Sequence, residues 1–341
     1  MDISILRETI GKFGAGDELD AAQAETFLDA LIAETDEPLL AKLFSIWNEK
    51  GITENEIYSL AKIMRDRCTK VVSKHETFVD IVGTGGSKLK TFNVSTAAAF
   101  VVAGEGVPVA KHGNKAATSN SGSADVLSSL GIEPAVDATT AERCLNEIGI
   151  CFMYAPNFHR LSPTLAKVRR SLGFPTIFNC VGPLCNPANA PHQLIGVWQK
   201  KMVSKIANAL ARLGARKSWI VHGEDGSDEI SISGRTFVAE VENGEVRDFE
   251  ITPGDVGVSP TSMNGLSVKT PAESAAVIRE IFEGKRKDSA AESLVLANAS
   301  VAIYLAGRGD DPREASSFAL DAINNGHAFK KMSALAAAVS K

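Results

Sequence analysis

The stretch Phe78-Val79-Asp80-Ile81-Val82-Gly83-Thr84-Gly85-Gly86 decides the fold of this chain. Phe78 to Val82 read as a short strand, and the glycine-rich run breaks it. A helix follows from about Ser95 through Ala97, Phe100 and Val101 to Gly104. A second strand, Val107-Pro108-Val109-Ala110, leads into a loop Lys111-His112-Gly113-Asn114. The next helix runs from about Ser123 to Leu130 and is closed by Gly131. Strand, loop and helix in repetition predict parallel β-α-β units with right-handed crossovers.

The alternation resumes with a helix from about Val203 to Leu213, the strand Ser218-Trp219-Ile220-Val221 and an acidic loop from His222 to Glu229. Asn243-Gly244 between Phe237–Val241 and Val246 marks a hairpin with a tight turn. Ala-rich helices fill most of the region from 290 onwards. Residues 1 to about 70 differ. Leu28, Leu31 and Ile32, then Leu39, Leu40, Leu43 and Phe44, recur at helical spacing, and Thr53 with Glu56 forms a capping box. The expected fold class is α/β: a small helical domain (1–70, with the chain returning to it around 156–190), plus a larger α/β domain (71–341) with a mostly parallel central sheet. The helical stripes exceed what so short a segment can bury, which predicts a dimer contact.

At 341 residues the chain exceeds the roughly 250–300 at which single cores tend to split. Its net charge of −5 is spread without long blocks, which argues against a nucleic-acid surface. The longest clean apolar run, Ala97–Ala103, is far short of the ~20 residues that span a bilayer. With no signal-peptide pattern, a cytoplasmic protein with no membrane partner is expected. Cys68, Cys144, Cys151, Cys180 and Cys185 show no C-x-x-C and no zinc spacing, and read as reduced, buried thiols.

Three loops carry chemistry. The glycine loop lacks Cβ atoms, so its backbone can turn N–H groups toward an anion, and the following helix start adds more. Thr84, Ser87, Thr91, Asn93, Ser95 and Thr96 surround it with short polar side chains. Neither a P-loop nor a dinucleotide fingerprint is present. The second loop offers the Lys111 ammonium to phosphate oxygens, with His112 readable as a base or as a structural hydrogen-bonding group. The third gathers Glu224, Asp225, Asp228 and Glu229, and magnesium takes one or two carboxylates plus phosphate oxygens and waters. Such a loop is expected to face solvent. The first two would lie at the carboxyl edge of the sheet, where open α/β folds bind ligands, with the acidic loop across from them.

In order along the chain stand Asp80-Ile-Val-Gly-Thr-Gly-Gly, Thr91-Phe-Asn-Val-Ser-Thr, Lys111-His-Gly-Asn, Ser121-Gly-Ser-Ala-Asp-Val-Leu, Asn179-Cys-Val-Gly-Pro-Leu-Cys-Asn-Pro and His222-Gly-Glu-Asp-Gly-Ser-Asp-Glu. Together they resemble the anthranilate phosphoribosyltransferase family over nearly the whole chain. The resemblance implies a nucleoside phosphorylase/phosphoribosyltransferase-like fold, a homodimer joined through the helical parts, and transfer of phosphoribose from phosphoribosyl pyrophosphate to anthranilate in tryptophan biosynthesis. It implies contacts to phosphoribosyl pyrophosphate from Gly83, Gly86, Ser87, Thr91, Asn93, Val94, Ser95, Thr96, Lys111, His112, Gly113, Asn114, Lys115, Ser119 and Ser123. Gly83, Asn114 and Arg169 would contact anthranilate, and Ser95, Asp228 and Glu229 would hold Mg2+, two ions per subunit. No general base is implied. By itself Arg169, in Lys167-Val168-Arg169-Arg170, reads as part of a solvated helix face.

Two departures stand out. The family's glycine loop ends in Asp where this chain has Ser87, whose hydroxyl is expected to donate to phosphate and to bind metal weakly. The family's His-Pro-Ala-Met is His159-Arg160-Leu161-Ser162 here. The alternatives are a related phosphoribosyltransferase or nucleoside phosphorylase-like enzyme with another aromatic acceptor, and a silent nucleic-acid-binding paralogue. A phosphorylase would not need the acidic pair at 228–229. A silent paralogue should have lost the glycine loop or that pair and gained basic surface.

Overall fold

The computed structural model describes residues 4–87, 89–115 and 121–340. Four helices open the chain: α1 (Ser4–Gly14), α2 (Ala24–Ala33), α3 (Glu37–Lys50) and α4 (Glu54–Arg67). Asp36 caps α3 by accepting from Leu39 N–H, and the Thr53–Glu56 capping box opens α4. The α/β part follows as β1 (Val79–Gly83), α5 (Val94–Gly104), β2 (Val109–Gly113), α6 (Ser123–Ser129), α7 (Ala138–Arg143), β3 (Ile150–Tyr154) and α8 (Ala155–Phe158). After α9 (Pro163–Ser171) and α10 (Ile177–Leu184) come β4 (His192–Gly196), α11 (Val203–Arg212), β5 (Lys217–Gly223), β6 (Thr236–Glu242) and β7 (Glu245–Ile251). The chain closes with α12 (Pro271–Phe282), α13 (Ala290–Leu305), α14 (Pro312–Asn324) and α15 (His327–Val339).

The strands make one seven-stranded sheet in the order β3-β2-β1-β4-β5-β6-β7. β1 to β5 pair in parallel, and the predicted hairpin adds β6 and β7 antiparallel at one edge. Asn243 and Gly244 both take positive φ in its turn. One strand end needs correcting: β2 continues through Gly113, so Lys111 and His112 belong to a strand and pair with Phe152 and Met153 of β3.

The pleat sorts side chains between two cores, one on each face. Leu194, Trp219 and Val221 join α5 and α13 on one face, while Ile195, Ile220 and Ala239 join the N-terminal helices on the other. The stripe residues Leu28, Leu31, Leu40, Leu43 and Phe44 are thereby buried against Leu165, Val168, Phe178 and Ile206 of the same chain. The stripes are covered without a second copy and so give no reason of their own for a dimer. Among the described residues the large apolar side chains left exposed are Val72 and Phe329, neither of them on α1 to α4. All five cysteines are free and buried.

Glu56 ties the N-terminal helices together. Its fully buried carboxylate accepts from the N–H groups of Leu19 and Thr53, from Trp47 Nε1 and from the nearly buried Lys50 ammonium at 2.8 Å. Removing one partner of a buried ion pair strands the other charge. Glu56→Ala should therefore lower the free energy of unfolding by about 3–5 kcal/mol, read by chemical denaturation. A loss below about 1 kcal/mol would show that the carboxylate does not hold these helices.

Candidate active site

The carboxyl ends of β1, β2 and β3, with the loop that follows β5, open into a cavity of about 530 Å³. Parallel strands carry their loops to one edge, and the order reverses direction between β1 and β4, the place where such folds bind ligands. Around the cavity stand Gly83, Gly86, Ser87, Thr91, Asn93, Val94, Ser95, the run Lys111 to Lys115, Ser123, Arg169, Asp228 and Glu229. Thr96 is not among them. It sits in the first turn of α5, 1 % exposed, its hydroxyl without a hydrogen-bond partner among the described residues. Ser119 lies outside the described residues.

Gly86 has φ +84°, and a Cβ there would come 2.7 Å from the Pro175 ring, so both conformation and space require glycine. Asn93 caps α5, its Oδ1 accepting from Thr96 N–H at 3.0 Å and from Ser95 Oγ at 3.3 Å. Lys111 Nζ, buried, donates to the Ile81 carbonyl and to Ser95 Oγ at 3.1 Å. Burial lowers its pKa to about 8, against the pull of Asp80 and Glu229.

The acidic loop divides. Glu224 pairs with Arg235, and Asp225 accepts from the hydroxyls of Ser227, Ser231 and Ser233, so both are spent on the loop itself. Asp228 and Glu229 turn into the cavity. They are half-buried rather than solvent-facing, which corrects the expectation of an open acidic turn. Desolvation raises both pKa values, and the Asp228 charge raises that of Glu229 further. Two adjacent carboxylates withdrawn from water favour a cation between them and the cavity. Among the described residues no three His, Cys, Asp or Glu side chains cluster with metal-binding geometry. The donors here therefore suit a hard ion that completes its shell with ligand oxygens and water.

Ser87 also has a partner within the chain. It is buried, and its hydroxyl donates to the Gly226 carbonyl at 3.0 Å, with the Leu89 carbonyl at 3.3 Å. Its single proton ties the glycine loop to the acidic loop. Arg169 is half-buried rather than on a solvated face, with its guanidinium 5.0 Å from the Phe178 ring centre and its Nε without a partner among the described residues. Desolvation, aided by Arg170, lowers its pKa to about 10. His112 is buried beside His159, ring centres 5.1 Å apart, and burial holds its pKa well below the ordinary value. A neutral imidazole with Nε2 unpartnered among the described residues is a weak base.

Sequence reasoning missed two supports. Asn179 Nδ2 donates to the Thr84 carbonyl at 2.9 Å and so fixes the glycine loop from α10. Gly196 ends β4, where a Cβ would meet the Asp228 carbonyl at 1.7 Å. Asn179 stood in a quoted motif without a role, and nothing in the sequence signals the contact at Gly196.

Residues 75–329 match the glycosyl transferase family described by its a/b domain, so the chain is a member of that class. It is 40% identical over 334 residues to an anthranilate phosphoribosyltransferase of Moorella thermoacetica, covering 98% of each chain. The crystal structure of the anthranilate phosphoribosyltransferase of Thermus thermophilus superposes with a TM-score of 0.88 at 34% identity, covering 97% of this chain and 99% of that one. The Saccharomyces cerevisiae enzyme, in complex with PRPP and Mg, gives a TM-score of 0.88 at 27% identity, covering 98% of each chain. The chain belongs to the anthranilate phosphoribosyltransferase family.

Introducing the family's acid as Ser87→Asp removes the donor to Gly226 and sets a carboxylate beside Asp228. The variant should melt lower than the native protein without magnesium and gain more from its addition. Thermal melts with and without magnesium decide this; equal gains in both proteins would show Ser87 to be a neutral replacement.

Proposed function

We propose that the chain transfers the phosphoribosyl group of phosphoribosyl pyrophosphate to the amine of anthranilate, releasing pyrophosphate in tryptophan biosynthesis. The observation that carries this reading is the convergence of the glycine loop, Lys111 and the Asp228–Glu229 pair on one cavity, in a chain of this family. The diphosphate would lie against the backbone of Gly83, Gly86 and Ser87 and the start of α5, with Thr91, Asn93, Ser95 and Lys111 to Asn114 around it. Ser95, Asp228 and Glu229 would hold Mg2+, two ions per subunit, which when bound neutralises charge on the leaving pyrophosphate.

As the C1′–oxygen bond breaks, the ribose gains oxocarbenium character and negative charge grows on the leaving group. Lys111 and the loop N–H groups would stabilise that charge. The amine then attacks C1′ from the opposite face and loses its proton. An arylamine is a weak base, so holding it in place matters more than activating it. Gly83, Asn114 and Arg169 would position it, the guanidinium pairing with the anthranilate carboxylate. No side chain is assigned as a general base. A homodimer joined through the helical elements and a cytoplasmic location belong to the same proposal and rest on the family resemblance.

Incubation with phosphoribosyl pyrophosphate, magnesium and anthranilate should quench anthranilate fluorescence. The Asp228→Ala/Glu229→Ala double variant should stay folded and lose turnover at ordinary magnesium. Native-like rates in that variant would remove the metal assignment.

Arg169→Ala should lower kcat/KM for anthranilate by roughly one to two decades, since a charge-assisted pair is worth about 1.5–3 kcal/mol, with the phosphoribosyl pyrophosphate KM nearly unchanged. Arg170→Ala serves as the control, and an effect there instead would reassign the contact.

A further inference from the structure

β1 and β2 lie side by side yet share one ladder pair, Val79 with Val109, whereas β1 pairs with β4 along all five residues. Past Val109, side chains take over the ladder's hydrogen bonds. The His112 N–H donates to Asp80 Oδ1 at 3.1 Å. Asn186 Nδ2 donates to Asp80 Oδ2 and to the Ala110 carbonyl, each at 2.8 Å. The Ile81 carbonyl, on β1, receives the Lys111 ammonium in place of a backbone N–H. Asn186 is itself pinned, because its Oδ1 accepts from Ala188 N–H at 2.9 Å. Both side chains are withdrawn from water, Asp80 fully. A buried carboxylate and a buried amide at this place cost desolvation that an ordinary parallel ladder would avoid.

We propose that Asp80 and Asn186 are positioning residues: they wedge the carboxyl end of β2 away from β1 and so set where Lys111 and the following residues to Asn114 meet the diphosphate of the substrate. The inference rests on the phosphoribosyl pyrophosphate reading of the cavity. Neither side chain lines the cavity, so their effect passes through the strand they hold. The wedge opens β2 only at its carboxyl end, since the Val79 N–H still donates to the Pro108 carbonyl at 3.0 Å at the other end. Without it, the Ala110 carbonyl and the His112 N–H can pair with β1 directly, drawing Lys111 along the sheet.

The test compares the full-length protein with Asp80→Asn and Asn186→Ala. Asp80→Asn keeps the volume but replaces one acceptor by an NH2 group, which must face either the His112 N–H or the Asn186 amide. Asn186→Ala removes the bridge to Ala110 while leaving the Asp80 bond to His112. In each variant the KM for phosphoribosyl pyrophosphate should rise roughly tenfold or more, the effect of losing a hydrogen bond to a charged group, and the anthranilate KM should stay within about twofold. Calorimetric titration with phosphoribosyl pyrophosphate and magnesium should show the same loss of affinity. If the native protein binds no phosphoribosyl pyrophosphate, the functional reading fails. If it binds and both variants match it, the wedge fails. Variants that are insoluble, or that differ only in melting temperature, would assign the pair a purely structural role and overturn the proposal.

Discussion

Two neighbouring carboxylates, Asp228 and Glu229, are held partly out of water at the edge of the sheet, and the rest of the site is arranged around that cost. Their pKa values rise because burial and mutual repulsion both disfavour charge. The chain answers with Lys111, a buried cation that is itself costly and has Asp80 behind it. Charges of both signs thus alternate from the strand interior to the cavity. Such an arrangement is poorly satisfied alone and well satisfied by a diphosphate with a divalent cation, which brings oxygen ligands and positive charge together.

Keeping these charges in register requires a scaffold that does not yield. The sheet supplies it, because both faces are covered by dense apolar layers and the strands have no freedom to slide. On one face α5 is buried nearly all round, so its N-terminus is fixed under the glycine loop. On the other, α10 reaches the same loop through Asn179 and brings Phe178 beneath Arg169. The N-terminal helices, remote in sequence, set where α9 and α10 lie through the core they share. A change at Glu56 is therefore expected to be felt as stability, whereas a change at Asn179 or Asp80 acts on geometry at the cavity.

Ser87 illustrates how a single position can carry a second use that its residue type does not signal. Its residue type marks it as a departure from the family pattern. Its hydroxyl donates to the Gly226 carbonyl and serves as a link between two loops. An aspartate at the same place would be an acceptor without a proton, so the two loops would need a cation to meet.

What the sequence determined by itself was whatever depends on neighbours in the chain. The strand and glycine break at 78–86, the helical spacing in α2 and α3, the Thr53–Glu56 capping box and the Asn243-Gly244 turn are all local, and local hydrogen bonding and periodicity dictate them. The order of motifs was also enough to place the chain in its family. Only the tertiary structure decided matters of distant approach. It buried the helical stripes within the chain, moved Arg169 from an apparent solvent face to a cavity wall, and turned Glu224 and Asp225 away while turning Asp228 and Glu229 inward. It also revealed Gly196 as the place where the Asp228 backbone must pass, and Asp80 with Asn186 as substitutes for a strand ladder. Those contacts join residues far apart in the chain, 106 positions in the case of Asp80 and Asn186. No local pattern encodes them, because the free energy that selects them comes from packing and desolvation in the assembled sheet.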